Sequence, residues 1–130
     1  MERRARTAPE LLPLPVSEFH ILLALGDGDR HGYGIMREVA ARTGDEVQLG
    51  PGTLYGSVKR MLAAGLIEES DERPDAQLDD ERRRYYRITA FGREVAAAEA
   101  RRMERLVAHA RQKRILPQPA RPQPARPEPA

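Results

Sequence analysis

The chain contains no cysteine and no tryptophan, and aromatic residues make up only 5% of it. Without thiols there is no disulfide framework, no thiolate zinc site and no cysteine redox switch, and a reducing compartment such as the cytoplasm fits best. Without tryptophan there is no Trp-lined stacking pocket for a flat ligand. No apolar run approaches the roughly 20 residues that span a bilayer, and the opening MERRARTAPE lacks the apolar centre of a signal peptide, so membrane and secretory readings fall away. His20, His31 and His109 stand far apart without acidic companions at ligand spacing, so neither a metal nor another cofactor is expected. No arrangement of nucleophile, base and orienting group is present, and GDGDRHGYG lacks the preceding strand of a phosphate-binding loop. An enzyme is therefore not expected.

Acid is missing from one stretch in particular. Charged residues are 32% of the 130 and nearly balanced in sign, yet Gln48 to Ile67 holds no Asp or Glu. A phosphate backbone repels carboxylates, so this local absence says more about a partner than the net charge of +2 does. Elsewhere the charge is segregated. Residues 68–81 carry eight acids against Arg73, whereas residues 82–116 carry eleven Lys or Arg against three Glu.

The acid-free stretch reads as a helix-bounded reading unit. Gly50-Pro51-Gly52 breaks the preceding segment, Thr53 is a suitable cap, and Leu54, Val58, Met61 and Leu62 fall on one buried stripe before Gly65 ends the helix. The other face is expected to carry Tyr55, Ser57, Lys59 and Arg60. Leu66-Ile67 begins a strand, residues 68–81 form a polar loop turning at Pro74-Asp75, and Arg82 to Thr89 reads as the returning strand. Two helices precede this unit, one capped by Ser17 with Phe19, Leu22 and Leu23 inward, the other from Gly32 to Thr43 with Ile35, Met36, Val39 and Ala40 inward and Gly44 at its stop. A last helix, capped by Thr89, should continue to about Ile115 before Pro117. Its Phe91, Val95 and Ala98 face the domain's own core, while Ala96, Ala100, Met103, Val107 and Ala110 alternate at four and three as a seam for a second helix.

Helices, hairpin and basic second strand together form a winged helix-turn-helix. The chain resembles the PadR family of bacterial transcriptional regulators through His31-Gly32-Tyr33-Gly34-Ile35, Gly52-Thr53-Leu54-Tyr55, Gly65-Leu66-Ile67, and Arg84-Tyr85-Tyr86 leading to Ile88-Thr89 and Gly92, in the family's order over roughly residues 15–115. The resemblance implies a mainly α fold with a small β-hairpin wing and a long C-terminal dimerisation helix. It also implies a homodimeric repressor of double-stranded DNA at a pseudo-palindromic operator. Family members respond to phenolic acids or flat cationic drugs, so release by a small-molecule effector, its identity unspecified, belongs to the same implication.

The expected division is a flexible arm over 1–16, a winged-helix DNA-binding domain over 17–88, a dimerisation helix over 89–116 and a disordered Pro-rich tail over 117–130. The tail repeats PQPAR and reads as extended polyproline, either a ligand for a Pro-binding module or a solubilising segment. Expected DNA contacts are Tyr33, Thr53, Tyr55, Ser57, Lys59, Arg60, Arg82, Arg83 and Arg84. Several have competing readings. Tyr55 either packs on the wing or stacks on sugar and bonds phosphate, the second being the family's use. Arg60 either meets DNA or pairs with Glu38. Tyr33 either caps and packs or, as the resemblance implies, binds DNA. The wing arginines either lie along a backbone or pair across the hairpin with Glu68 and Glu69, with one of Tyr85 and Tyr86 inward and the other outward. The acids around the wing tip should be pushed from phosphate, or fold back on the arginines. The alternative to a DNA-binding regulator is a winged-helix protein-interaction module that has lost DNA binding.

Overall fold

Four α-helices and three short strands make up the regular structure in a computed structural model that describes residues 6–70 and 84–119. The order is α1 (Val16–Ala24), β1 (Arg30–His31), α2 (Gly32–Arg42), α3 (Pro51–Ala63), β2 (Ile67–Ser70), β3 (Tyr85–Ile88) and α4 (Ala90–Gln112). The strands form an antiparallel sheet in the order β1-β3-β2, so the wing hairpin has a third strand that sequence alone does not reveal. Register places Glu68 opposite Arg87 and Glu69 opposite Tyr86 on one side of β3, and Arg30 opposite Tyr86 and His31 opposite Tyr85 on the other.

The chain divides into two units, residues 1–100 and 101–130. The first holds the core: Ile21, Leu22 and Leu25 of the α1 region, Ile35 and Val39 of α2, Leu54, Val58 and Met61 of α3, then Leu66, Ile67, Tyr86 and Val95. Both α2 and α3 end on a glycine in the left-handed region, Gly44 (φ 58°) and Gly65 (φ 76°). At each end an amide reaches back over the last turn, Asp45 to the Ala40 carbonyl (2.8 Å) and Leu66 to that of Met61 (3.0 Å). Gly65 thereby turns the chain at once from α3 into β2. In the second unit the helix ends at Gln112, ahead of Pro117, because Arg114 adopts φ 61° and the Ile115 amide bonds the Ala110 carbonyl.

Several expectations are corrected. Residues 8–14 are not a free arm: Ala8–Leu11 form a 3-10 turn, Ala8 and Leu14 are buried, and Leu11 and Leu12 pack on the core. The Leu14 amide donates to Oε2 of Glu99 at 2.6 Å, so Glu99, 0% exposed, is a buried carboxylate with a hydrogen bond. Ser17 lies inside α1, whose N-cap is Pro15, and Leu23 faces outward while Ile21, Ala24 and Leu25 are buried. Tyr85 and Tyr86 are both buried: β1 pairs along the edge of β3 that a plain hairpin leaves open and sets the His31 ring beside Tyr85. There the His31 ring meets Tyr85 edge-on at 5.2 Å, and the Ser70 hydroxyl donates to Asp29 at 2.5 Å. Ala96, placed in the helix seam, packs partly against the first unit's core, and Leu106, absent from that seam, is exposed beside Val107. Residues 68–70, expected in the acidic loop, belong to β2, and the rest of that loop, Arg82, Arg83 and most of the Pro-rich tail lie outside the described residues.

Candidate nucleic-acid interface

The cap of α3 is Gly50, with Pro51 in its first turn; Thr53 lies inside the helix and is exposed. Proline at this point costs no hydrogen bond and presets the helical φ. The N–H groups of Gly52 and Thr53 lie ahead of the first intrahelical bond, Leu54 to Gly50, and no acid stands in the first turn, so the helix start favours an anion. At 100° per residue, Gly52, Gly56, Lys59 and Ala63 lie on the side opposite the buried Leu54 and Met61. Three of the four are small, which allows the helix backbone to approach a groove closely. Tyr55 borders this strip on one side and Thr53 and Arg60 on the other.

The structure separates the expected site residues. Tyr55 (52% exposed) and Tyr33 (57% exposed) present their rings outward, and Lys59 is exposed one turn after Tyr55. Ser57 does not belong with them: it is 0% exposed, facing α1, where its hydroxyl meets that of Ser17 at 3.1 Å. It follows Thr53 by four residues and so leans inward between Leu54 and Arg60. Arg60 does not pair with Glu38, which is held by Arg42 at 2.8 Å. Its Nε instead lies 3.8 Å from Oε2 of Glu18 on α1, and its Nη2 donates to Ser57 Oγ at 3.2 Å.

Glu18 and Arg37 escaped the sequence reading, and His31 and Gly32 entered it only through the family motif and the helix start, without these roles. Glu18 precedes Ile21, Leu22 and Leu25 at three, four and seven residues, a spacing that puts this acid on the buried stripe. Burial raises its carboxyl pKa, and the opposing pull of Arg60 is the smaller effect. His31 caps α2 by accepting the Gly34 amide on Nδ1 at 2.9 Å, and its ring stacks at 6.4 Å on Tyr33. The Arg37 guanidinium lies 5.8 Å from the Tyr33 ring centre, adding a cation beside that aromatic.

Gly32 sets where Tyr55 stands. A Cβ built on Gly32 comes within 2.6 Å of the Tyr55 hydroxyl, so the ring crosses the start of α2 where only glycine leaves room. The atom in the way is the end of a side chain, and the ring can swing aside without unfolding the core. Gly32→Ala is therefore expected to leave the melting temperature nearly unchanged while weakening duplex DNA binding by about three- to tenfold, the worth of one displaced polar contact. Parallel thermal melts and binding titrations check this.

At the base of the wing, Arg84 pairs with Glu69 (3.2 Å) and Arg87 with Glu68 (2.7 Å), so the cross-strand pairing takes both arginines. These pairs are exposed and worth little in stability. Burial, with Glu69 and then Tyr55 adding to it, raises the Tyr86 phenol pKa, and Arg84 pulls the other way. On α1, burial and then Arg42 lower the His20 pKa. No group of His, Asp and Glu that could hold a metal stands among the described residues, and no described helix is long and apolar enough to cross a membrane.

A three-helix core whose third helix presents an acid-free outer side, followed by a strand-paired wing, defines the winged-helix class. The transcriptional regulator PadR-like family matches residues 21–98, and the chain belongs to that family. It is 37% identical over 87 residues to the transcriptional regulator Rv3488 of Mycobacterium tuberculosis, covering 67% of this chain and 75% of that protein. It is also 37% identical over 86 residues, 66% of the chain, to an uncharacterised 37.1 kDa protein in transposon TN4556 of Streptomyces fradiae, of which it spans only 22%. Among solved structures, a PadR family transcription regulator from Clostridium difficile R20291 superposes with a TM-score of 0.61 at 25% identity, covering 78% of this chain and 99% of that one.

Proposed function

We propose that the protein is a cytoplasmic, homodimeric repressor that binds a pseudo-palindromic DNA site and is released from it by a small-molecule effector. The observation that carries the DNA reading is the outer side of α3: acid-free from end to end and lined by small residues, with Lys59 and Tyr55 exposed on it and Tyr33 exposed on α2. In a major groove Lys59 meets phosphate or guanine, and the tyrosines bond or stack on the sugar-phosphate backbone. Arg84 lies on the flanking backbone, exchanging Glu69 for phosphate, and Arg82 and Arg83 extend that contact. Two-fold symmetry places the half-sites one helical turn apart, about 34–36 Å.

A Tyr55→Ala, Lys59→Ala double variant tests this. Each lost contact to a charged group is expected to cost on the order of tenfold in affinity, and losing the Lys59 phosphate contact flattens the slope of log affinity against log salt by about 0.9. A double variant that holds duplex as tightly as the parent at equal salt refutes the assignment of α3 as the reading helix.

A further inference from the structure

Arg60 stands at the edge of the reading helix with its side chain 62% exposed, yet it is tethered from beneath by two groups that solvent barely reaches. The Glu18 carboxylate, from a different helix, faces its Nε, and the Ser57 hydroxyl accepts from its Nη2. Ser57 is in turn met by Ser17, so a polar chain runs from α1 through the α1/α3 contact to the guanidinium. We propose that Glu18 is a positioning residue for DNA recognition: with Ser57 it fixes the Arg60 guanidinium against α3, so that this side chain reads one DNA position instead of sampling several. This rests on the DNA-binding reading above.

The chemistry favours that role over two simpler ones. As a source of stability the pair is poor, since burial opposes ionisation of Glu18 more than Arg60 assists it. As a plain charge near DNA, Glu18 would repel every duplex alike and carry no sequence information. A guanidinium is a rigid planar fork whose value in recognition depends on its orientation. Holding Nε and one Nη from below leaves the other Nη and the outer edge for a base or phosphate, with little rotamer freedom left to lose on binding.

The test compares the tightest duplex that the parent recovers from a random-sequence pool with a scrambled duplex of the same composition. Glu18→Gln keeps the shape and removes the charge. It is expected to lower the ratio of selected to scrambled affinity by about tenfold, while affinity for scrambled DNA holds or rises. In an Arg60→Ala background the same change should move the ratio less than about twofold, because the residue through which it acts is gone. Ser57→Ala gives a second arm that leaves the carboxylate in place, with an expected fall of about threefold. Circular dichroism melts confirm that each variant is folded. An unchanged ratio in both Glu18→Gln and Ser57→Ala, or an equal fall with and without Arg60, overturns the assignment while leaving the regulator reading intact. A parent that holds selected and scrambled duplexes equally overturns that reading, and this assignment with it.

Discussion

Gly92→Ala is expected to lower the stability of the protein by about 2–4 kcal/mol, a drop in melting temperature on the order of 10–20 °C for a domain of this size. A Cβ built at this position strikes the Leu66 carbonyl group and the Ile88 Cγ1. The carbonyl cannot step back cheaply. It accepts the Thr89 amide at 3.1 Å and the Thr89 hydroxyl at 3.1 Å, and that hydroxyl also donates to the Gly65 carbonyl at 2.6 Å while capping α4 through the Gly92 amide at 2.9 Å. The turn out of α3, the end of β3 and the start of α4 therefore meet at one set of hydrogen bonds, with Gly92 as the residue that lets them close. Two effects oppose each other. Alanine in place of glycine inside a helix contributes about 1 kcal/mol, and overpacking plus loss of the cap costs about 3–5, so a net loss of about 2–4 remains. Gly56→Ala in α3 is the internal control, since its Cβ meets only the Arg60 Nη1 at 3.6 Å. It should keep the helical gain of up to about 1 kcal/mol. Denaturant unfolding of the two variants against the parent checks both signs, and a Gly92→Ala protein as stable as the parent contradicts the junction.

Glutamate at both Leu106 and Val107 is expected to convert the proposed dimer to monomer and to reduce operator affinity by a factor on the order of 10²–10⁴. Both side chains are exposed, an unusual state for two adjacent aliphatic residues, and they continue the spacing that runs through Met103 to Ala110. Carboxylates placed there would face their own copies across a two-fold axis and would have to be desolvated in an apolar contact. The effect on DNA is larger than the loss of any single contact. A dimer's second reading helix binds from a high effective concentration, and a monomer forfeits that advantage entirely. Sedimentation reads the first consequence and titration of a two-half-site duplex the second. A variant that stays dimeric places the subunit contact outside this part of α4.

Much of the fold was legible because its signals are local. Gly50-Pro51-Gly52 and Gly65 bound α3 within a residue of where it begins and ends, since the special backbone needs of a cap and a left-handed turn are written in residue type. The same holds for Gly44 and for Thr89, whose hydroxyl caps α4, while the wing hairpin was legible in its pairing but not in its bounds, since β2 runs on to Ser70 and β3 is Tyr85–Ile88. The absence of acid from Gln48 to Ile67 and the presence of Tyr55 and Lys59 on the outer side of α3 likewise needed only composition and period. Tertiary structure decided what depends on a distant partner. Ser57 has the polarity of a surface residue, and α1 buries it through Ser17. Tyr85 alternates outward on an isolated hairpin, and β1, a strand of two residues too short to leave a pattern, covers it with His31. The segment before α1 reads as a loose arm, yet Ala8 and Leu14 reach the core and Glu99 takes the Leu14 amide from 85 positions away. The pairing of Arg60 with Glu18 rather than Glu38 was settled in the same way, because which acid an arginine meets depends on how two helices cross, and a hydrophobic period fixes only the face each helix buries.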